Sequence, residues 1–276
     1  MELSKNASLM DMINSDDALF HYTKRSTALE MVLSKNTFKL FHLLNTNDPR
    51  EYKDRLQGVT GWNWSNETEE LIKQVHTYFD ALLRNYSYFS SFTENKYIDN
   101  KLHSHGYIKP RMWAQYGEDH YGVCLVFSKQ NFIDAIHDSI DRNNFCVFND
   151  SILYKESDKY SRSQSMSIDG DSFVSSTPFK IAFEHIKKYN KELFFQKDID
   201  YRDEDEYRVV VCRSKENSEA SQSLDIQATN CIKGIILGDR FPRVYKPTIE
   251  QLCKELKIEY KKFHFEKRNY ILLSTI

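Results

Sequence analysis

At 276 residues, with 40 acidic side chains against 38 basic ones and a formal charge of -2, the chain lacks the basic excess on which non-specific nucleic-acid binding relies. Its five cysteines (Cys124, Cys146, Cys212, Cys231, Cys253) are scattered, odd in number and free of any C-x-x-C pair, which argues against a disulfide framework or a zinc ribbon. No stretch reaches the ~18 apolar residues of a membrane span, and the start of the chain has no apolar signal region, so a cytoplasmic protein with no membrane partner is expected.

Phe (18) and Tyr (17) far outnumber Trp (3), a composition that favours strands and supplies rings for flat ligands. The length suits one elaborated domain over residues 1–276, with an N-terminal tail to about residue 17 and a Ser- and Asp-rich mobile loop at about 156–177.

In chain order, the aromatic run from Ala18 to Thr23 reads as a strand. A helix follows, with Ser26 as N-cap and Ala28, Leu29, Val32 and Leu33 on its buried face. A strand at 38–41 leads to Asn47-Asp48-Pro49, which is a turn whatever else it does. Leu71, Val75, Phe79, Leu82 and Leu83 mark a long amphipathic helix over 67–86, before a strand at 88–93.

Pro110 opens a short helix carrying Trp113 and Tyr116, and residues 121–127 form a buried strand followed by a helix over 131–140. A helix is predicted over 178–195, then a strand over 204–212. A β-α-β close comes from residues 231–238, 247–256 and 260–265.

The strand at 204–212 begins Glu204-Asp205-Glu206-Tyr207-Arg208, and period-two geometry would put Glu204, Glu206 and Arg208 on one face, with Tyr207, Val209 and Val211 on the other. It reads either as a solvated edge or as charge aimed at a ligand, because unpaired buried charge is costly. There is no G-x-G-x-x-G, no G-x-x-x-x-G-K-[ST] and no G-x-S-x-G, so Rossmann, P-loop and serine-hydrolase sites are not expected. His103, His105 and His120 lack a ligand partner at a recognisable spacing, and no metal site is expected.

The motifs Phe20-His21-Tyr22-Thr23, Asn47-Asp48-Pro49-Arg50-Glu51, Ser91-Phe92-Thr93-Glu94, Met112 to Gly117, His120 to Phe127 and Lys197 with Glu204-x-Glu206-x-Arg208 together resemble a bacterial family of unknown function. Members of that family often lie beside phage-defence genes, which implies a toxin or defence effector.

The same order of motifs distantly resembles the ADP-ribosyltransferase superfamily. That resemblance implies an α+β fold with a core of two small mixed or antiparallel sheets and flanking helices. It also implies NAD as substrate and a protein or nucleic-acid acceptor, or hydrolysis of NAD. His21 and Thr23, with Tyr22 between them, would then lie against the adenosine ribose, Phe92 or Tyr116 would stack on nicotinamide, and Glu206 would bind the ribose hydroxyl beside the scissile bond. Glu204 would orient or deprotonate the acceptor, and Arg208 would hold the diphosphate or neutralise the carboxylates. Asn47, Thr93 and Trp113 complete the implied binding set.

Ser91 stands where the superfamily usually has tyrosine, which keeps open an inactive ligand- or protein-binding module on the same scaffold. Each site residue also has a plainer reading: His21 as a hydrogen-bonded core histidine, and Trp113 and Tyr116 as core packing.

Overall fold

The structure is a computed structural model that describes residues 8–46, 48, 51, 58–60, 66–156, 164–169, 176–216, 222–266 and 269–274. The helices are α1 (Leu9–Ile13), α2 (Asn66–Arg84), α3 (Pro110–Gln115), α4 (Lys129–Ser139), α5 (Pro178–Lys188), α6 (Asn190–Phe194) and α7 (Lys246–Leu256). The strands run β1 (Ala18–Thr23), β2 (Thr37–His42), β3 (Gly58–Thr60), β4 (Ser87–Glu94), β5 (Lys96–Ile98), β6 (Lys101–Ser104), β7 (Val123–Ser128) and β8 (Phe145–Ser151). They continue as β9 (Leu153–Lys155), β10 (Ser167–Asp169), β11 (Gln196–Asp198), β12 (Glu206–Arg213), β13 (Ser223–Gln227), β14 (Ile232–Leu237), β15 (Glu259–Glu266) and β16 (Asn269–Ser274).

The mixture of helix and sheet is the expected α+β class. The sheet arrangement differs from the two small sheets anticipated: ten strands form one sheet, in the order β13-β2-β4-β1-β7-β14-β15-β16 with β12 and β8 branching from β4, beside three two-stranded sheets. The extra strands are short or half-exposed, so their apolar alternation is weak in the sequence. The β-α-β close is present, with β14 and β15 parallel across α7.

Side chains alternate across the large sheet into separate cores. On one face, Leu19, Phe38, Phe127, Tyr207, Val209 and Val211 pack with Phe132 of α4 and Ile249 of α7. On the other, Val210 and Cys212 meet α2 and α5 through Phe79, Leu83 and Ile186. A third cluster joins Phe20, Tyr22, Trp113 and Val126 to Leu9, Met12 and Ile13 of α1.

That third cluster corrects the expected tail. Ser8 caps α1 in a reciprocal pair with Asp11, and three of the five helical residues are buried, so the chain is part of the core from residue 8 onward. Within the expected mobile loop at 156–177, β10 pairs in parallel with β3 and Ile168 is buried, an ordering contact that the polar composition hid; the rest of the loop is largely outside the described residues.

The helix after β1 is a seven-residue π-helical segment, Thr27–Leu33, which buries Ala28, Leu29, Val32 and Leu33 as expected, but Ser26 makes no side-chain cap. The predicted helix over 178–195 is two helices broken at Tyr189, whose φ of -109° and ψ of 23° leave the α region.

Candidate functional site

The site is made by a fork in the large sheet. β12 occupies one whole edge of β4, from Glu206 opposite Thr93 to Cys212 opposite Ser87. Two strands share the other edge: β2 pairs at Tyr88 and Phe89, and β1 pairs at Thr93 and Glu94. β1 and β2 diverge between these points, and a cavity of about 490 Å³ lies in the fork, lined from β1, β2, β4 and β12.

His21 reaches into the open edge, where its Nδ1–H donates to the Ser91 carbonyl at 3.1 Å. That bond leaves Nε2 as the acceptor nitrogen. Burial dominates the titration and lowers the ring's pKa to about 4, against the opposing pull of the Ser91 carbonyl, so the imidazole is neutral at pH 7. The ring is wedged edge-on against Phe38 and Phe92, at centroid distances of 4.9 and 5.6 Å.

Ser91 also faces β12, and its hydroxyl donates to Glu206 Oε1 at 2.5 Å. One residue therefore joins His21 to Glu206. The same Oε1 accepts from Arg208 Nε at 2.8 Å, while Lys197 Nζ donates to Glu206 Oε2 at 3.1 Å and to Glu204 Oε2 at 2.7 Å. Arg208 completes its fork with the Phe194 carbonyl at 2.9 Å and Glu51 Oε1 at 2.8 Å. Glu51, Lys197, Glu204, Glu206 and Arg208 are all at least 94% buried, which their mutual pairing makes tolerable.

The two glutamates are pushed in opposite directions. Burial by itself would raise the Glu206 carboxyl, but the charges of Arg208 and Lys197 outweigh it and hold the group ionised, well below the ordinary carboxylate range. For Glu204, burial wins over the pull of Lys197 and the carboxyl is raised. Environments that separate two neighbouring carboxylates in this way are those that divide acid–base roles. Among the described residues, three polar atoms of the cavity lining are buried without a hydrogen-bond partner: Glu51 Oε2, Glu204 Oε1 and Thr93 Oγ1.

Local structure explains the placement. β12 lies inside the sheet between β4 and β8 with every residue buried, so the solvated-edge reading does not hold. Glu206 and Arg208 do share a face, opposite Tyr207, Val209 and Val211. Glu204 is not on that strand: it ends a 3₁₀ turn, Ile199–Glu204, started by Asp198, whose carboxylate accepts from the Asp200 N–H at 3.0 Å. Asp205 then takes a left-handed conformation (φ 42°) and forms ion pairs with Lys109 and Lys96. Glu204 therefore enters the cluster from the turn, and Lys197 gathers the two carboxylates.

Of the residues singled out in the sequence, His21, Tyr22, Phe92, Thr93, Tyr116, Glu204, Glu206 and Arg208 line the cavity. Tyr22 commits its hydroxyl to the Gly106 carbonyl at 2.7 Å, and Phe92 is almost wholly packed in the core. Half-buried Tyr116 is thus the ring better placed to stack on a ligand.

Trp113 is not a lining residue. It is fully buried, donates to the Tyr107 carbonyl at 2.9 Å and stacks on Phe263. Thr23 is buried in β1 opposite Val123 and does not line the cavity either. Arg208, with Nε, Nη1 and Nη2 all engaged, is a neutralising and positioning group, and the diphosphate role does not fit it. Asn47 lies outside the described residues.

Lys197 and Glu51 stood in the sequence only as motif letters, and Ser91 only as a departure from the superfamily's usual tyrosine. The signal for Lys197 was charge balance, since Glu204 and Glu206 beside one arginine demand a further cation; Ser91 and Glu51 carried no such signal. Among the described residues, no group of His, Cys, Asp or Glu is arranged to hold a metal ion, and no helix is long and apolar enough to cross a membrane.

No curated protein and no solved structure matches the chain. The family of unknown function expected from the motifs is found in the segment that carries Tyr116, Lys197, Glu204, Glu206 and Arg208: residues 112–209 match the family described as a protein of unknown function, DUF2971.

Proposed function

We propose that the fork cavity binds NAD and cleaves its nicotinamide–ribose bond, in the manner of an ADP-ribosyltransferase, with Glu206 as the catalytic carboxylate. The observation that carries this reading is the link from His21 through Ser91 to Glu206 on the wall of one cavity, because the resemblance requires an early-strand histidine and a late-strand glutamate to meet the same substrate.

Breaking the C1′–N bond sends its electron pair to the nicotinamide nitrogen, which loses its positive charge as positive charge develops on the ribose. A fixed carboxylate at that point stabilises the transition state more than the ground state. Arg208 and Lys197 keep Glu206 ionised for this role. Glu204, with its raised affinity for a proton, accepts one from the attacking water or acceptor nucleophile. Tyr116 and Met112 form the apolar wall for the leaving ring, and Thr93 Oγ1, without a partner among the described residues, offers its hydroxyl to the ribose. The finer ADP-ribosyltransferase-like core belongs to this proposal, as does a role as a toxin or defence effector that consumes NAD or modifies a macromolecule.

The test is nicotinamide release from NAD by the full chain, followed by chromatography with and without candidate protein or nucleic-acid acceptors. Wild type should release nicotinamide, and Glu206→Gln should lower the rate by about 10²-fold or more while NAD binding by calorimetry changes little. Absence of NAD binding by the wild type would remove this reading.

A second reading, a binding module without chemistry, is favoured by the pairing of both Glu206 oxygens with Ser91, Arg208 and Lys197. It would be established by NAD binding that weakens in His21→Ala with no nicotinamide released by the wild type.

A further inference from the structure

The charges around the cavity do not balance. Glu51, Glu204 and Glu206 face Lys197 and Arg208, so among the described residues the buried cluster holds three carboxylates against two cations. Two of the carboxylate oxygens, Glu51 Oε2 and Glu204 Oε1, have no hydrogen-bond partner among the described residues, and neither does Thr93 Oγ1 on the same cavity. An uncompensated buried carboxylate costs several kcal/mol, so a positive charge brought to these groups, as a proton or on a ligand, is stabilised there.

We propose that the cluster exchanges a proton for the positive charge of its ligand: Glu204 carries the proton in the empty site and releases it when a cationic ring enters, with Glu51 as the residue that sets the excess charge. The inference rests on the NAD reading for the identity of the ring and on the cluster's own geometry for the proton.

Glu204 is the member able to hold the proton. Glu206 has partners on both oxygens, whereas Glu51 and Glu204 each pair one oxygen with a cation shared with Glu206 and leave the other without a partner among the described residues; of these two, Glu204 is the one whose carboxyl burial raises against the pull of Lys197. The groups that face it are Lys197 on β11, Glu206 and Arg208 on β12, Tyr154 on β9 and, more distantly, Arg111 on α3. Arg111 is exposed and outside the cavity, where water screens it, so it does not make up the deficit.

The exchange separates two ligands that share the same phosphates and sugars. The oxidised nicotinamide ring is a cation and replaces the proton, whereas the reduced ring is neutral and does not. Glu51 and Glu204 thereby become specificity residues for the oxidised form. Once the bond is cleaved, the departing nicotinamide is neutral too, so the cluster's hold on the ring weakens at the moment of release.

The experiment has two arms. Carboxyl ¹³C NMR on the full chain should show Glu204 titrating above the ordinary carboxylate range and moving down in Glu51→Gln, where one carboxylate charge is gone. Titration in the ordinary range or below, or no response to Glu51→Gln, overturns the proposal whatever the ligand does.

Calorimetry of NAD and NADH in buffers of different ionisation enthalpy should show about one proton released per NAD bound below the titration of Glu204, with NAD affinity falling about tenfold per pH unit there, and no such release for NADH. Equal proton release for both forms overturns the proposal. If neither dinucleotide binds, the NAD reading fails, and the NMR arm alone decides whether Glu204 holds the proton. Glu204→Gln, which keeps the shape of the side chain, should abolish the proton release and the difference in pH dependence between the two forms.

Discussion

Arg208 shows how much of the site depends on single residues. It is 2% exposed and compensates Glu206 and Glu51 at once, so Arg208→Met leaves two buried carboxylates short of a partner. Urea unfolding should show a loss of about 3–5 kcal/mol, and adding Glu51→Gln to that variant should cost less than the sum of the two single changes. Ser91→Ala removes a hydrogen bond to a charged group but keeps the backbone carbonyl that orients His21. It should cost about 1.5–3 kcal/mol and reduce nicotinamide release more than NAD binding.

His21 gives a pH dependence with a definite sign. Its folded pKa of about 4 lies below the ordinary 6.5, so the unfolded chain binds the proton first. Its contribution is complete above pH 6.5 and is lost as pH falls towards 4, by up to about 3 kcal/mol in unfolding free energy. His21→Gln should lose that part of the profile. The alternation of Glu206 and Arg208 was readable in the sequence at this scale. Their partners were not, because Glu51 and Ser91 lie more than a hundred residues away along the chain.

Among the elements, the turn before β12 decides the chemistry. A strand running from Glu204 would have placed that side chain beside Glu206 by alternation alone, but the left-handed Asp205 ends the 3₁₀ turn and restarts the chain as β12. The same pattern of letters supports both geometries, and nothing local to the sequence selects between them, since Asp only tolerates the left-handed region better than most residues. Asp205→Val should destabilise thermal unfolding by at least ~1–2 kcal/mol, because a β-branched residue is strained there, and should abolish the proton release assigned to Glu204. Asp205→Gly keeps the turn at the expense of the Lys109 pair and should retain that release. The fork is likewise an element-scale feature, arising because β1 and β2 pair with opposite ends of one edge of β4.

For the whole molecule, the large sheet holds the fork open because each of its faces is covered by a separate core. The contribution of α1 is measurable. Removing residues 1–13 strips α1 from β7 and β14 and deletes Leu9, Met12 and Ile13 from the third cluster, each of which contributes about 1.5–3 kcal/mol by burial. A lower melting temperature and binding of a hydrophobic dye should follow. Gly234→Ala should act through the same contact, since a Cβ there would overlap the Leu9 side chain and press on the Glu259 carbonyl.

The sequence by itself determined the long helix α2, the strands β1, β7 and β12 as elements, the burial of β7, and the placement of Glu206 and Arg208 on one face. Those features follow from local periodicity and capping, which act over a few residues. The tertiary structure alone decided that α1 belongs to the core, that Trp113 packs while Tyr116 faces the cavity, and that Ser91 joins His21 to Glu206. It also brought Glu51 and Lys197 to the carboxylates. These depend on strand order and on the compensation of buried charge, which are satisfied by whatever residue the fold brings near, however distant in sequence.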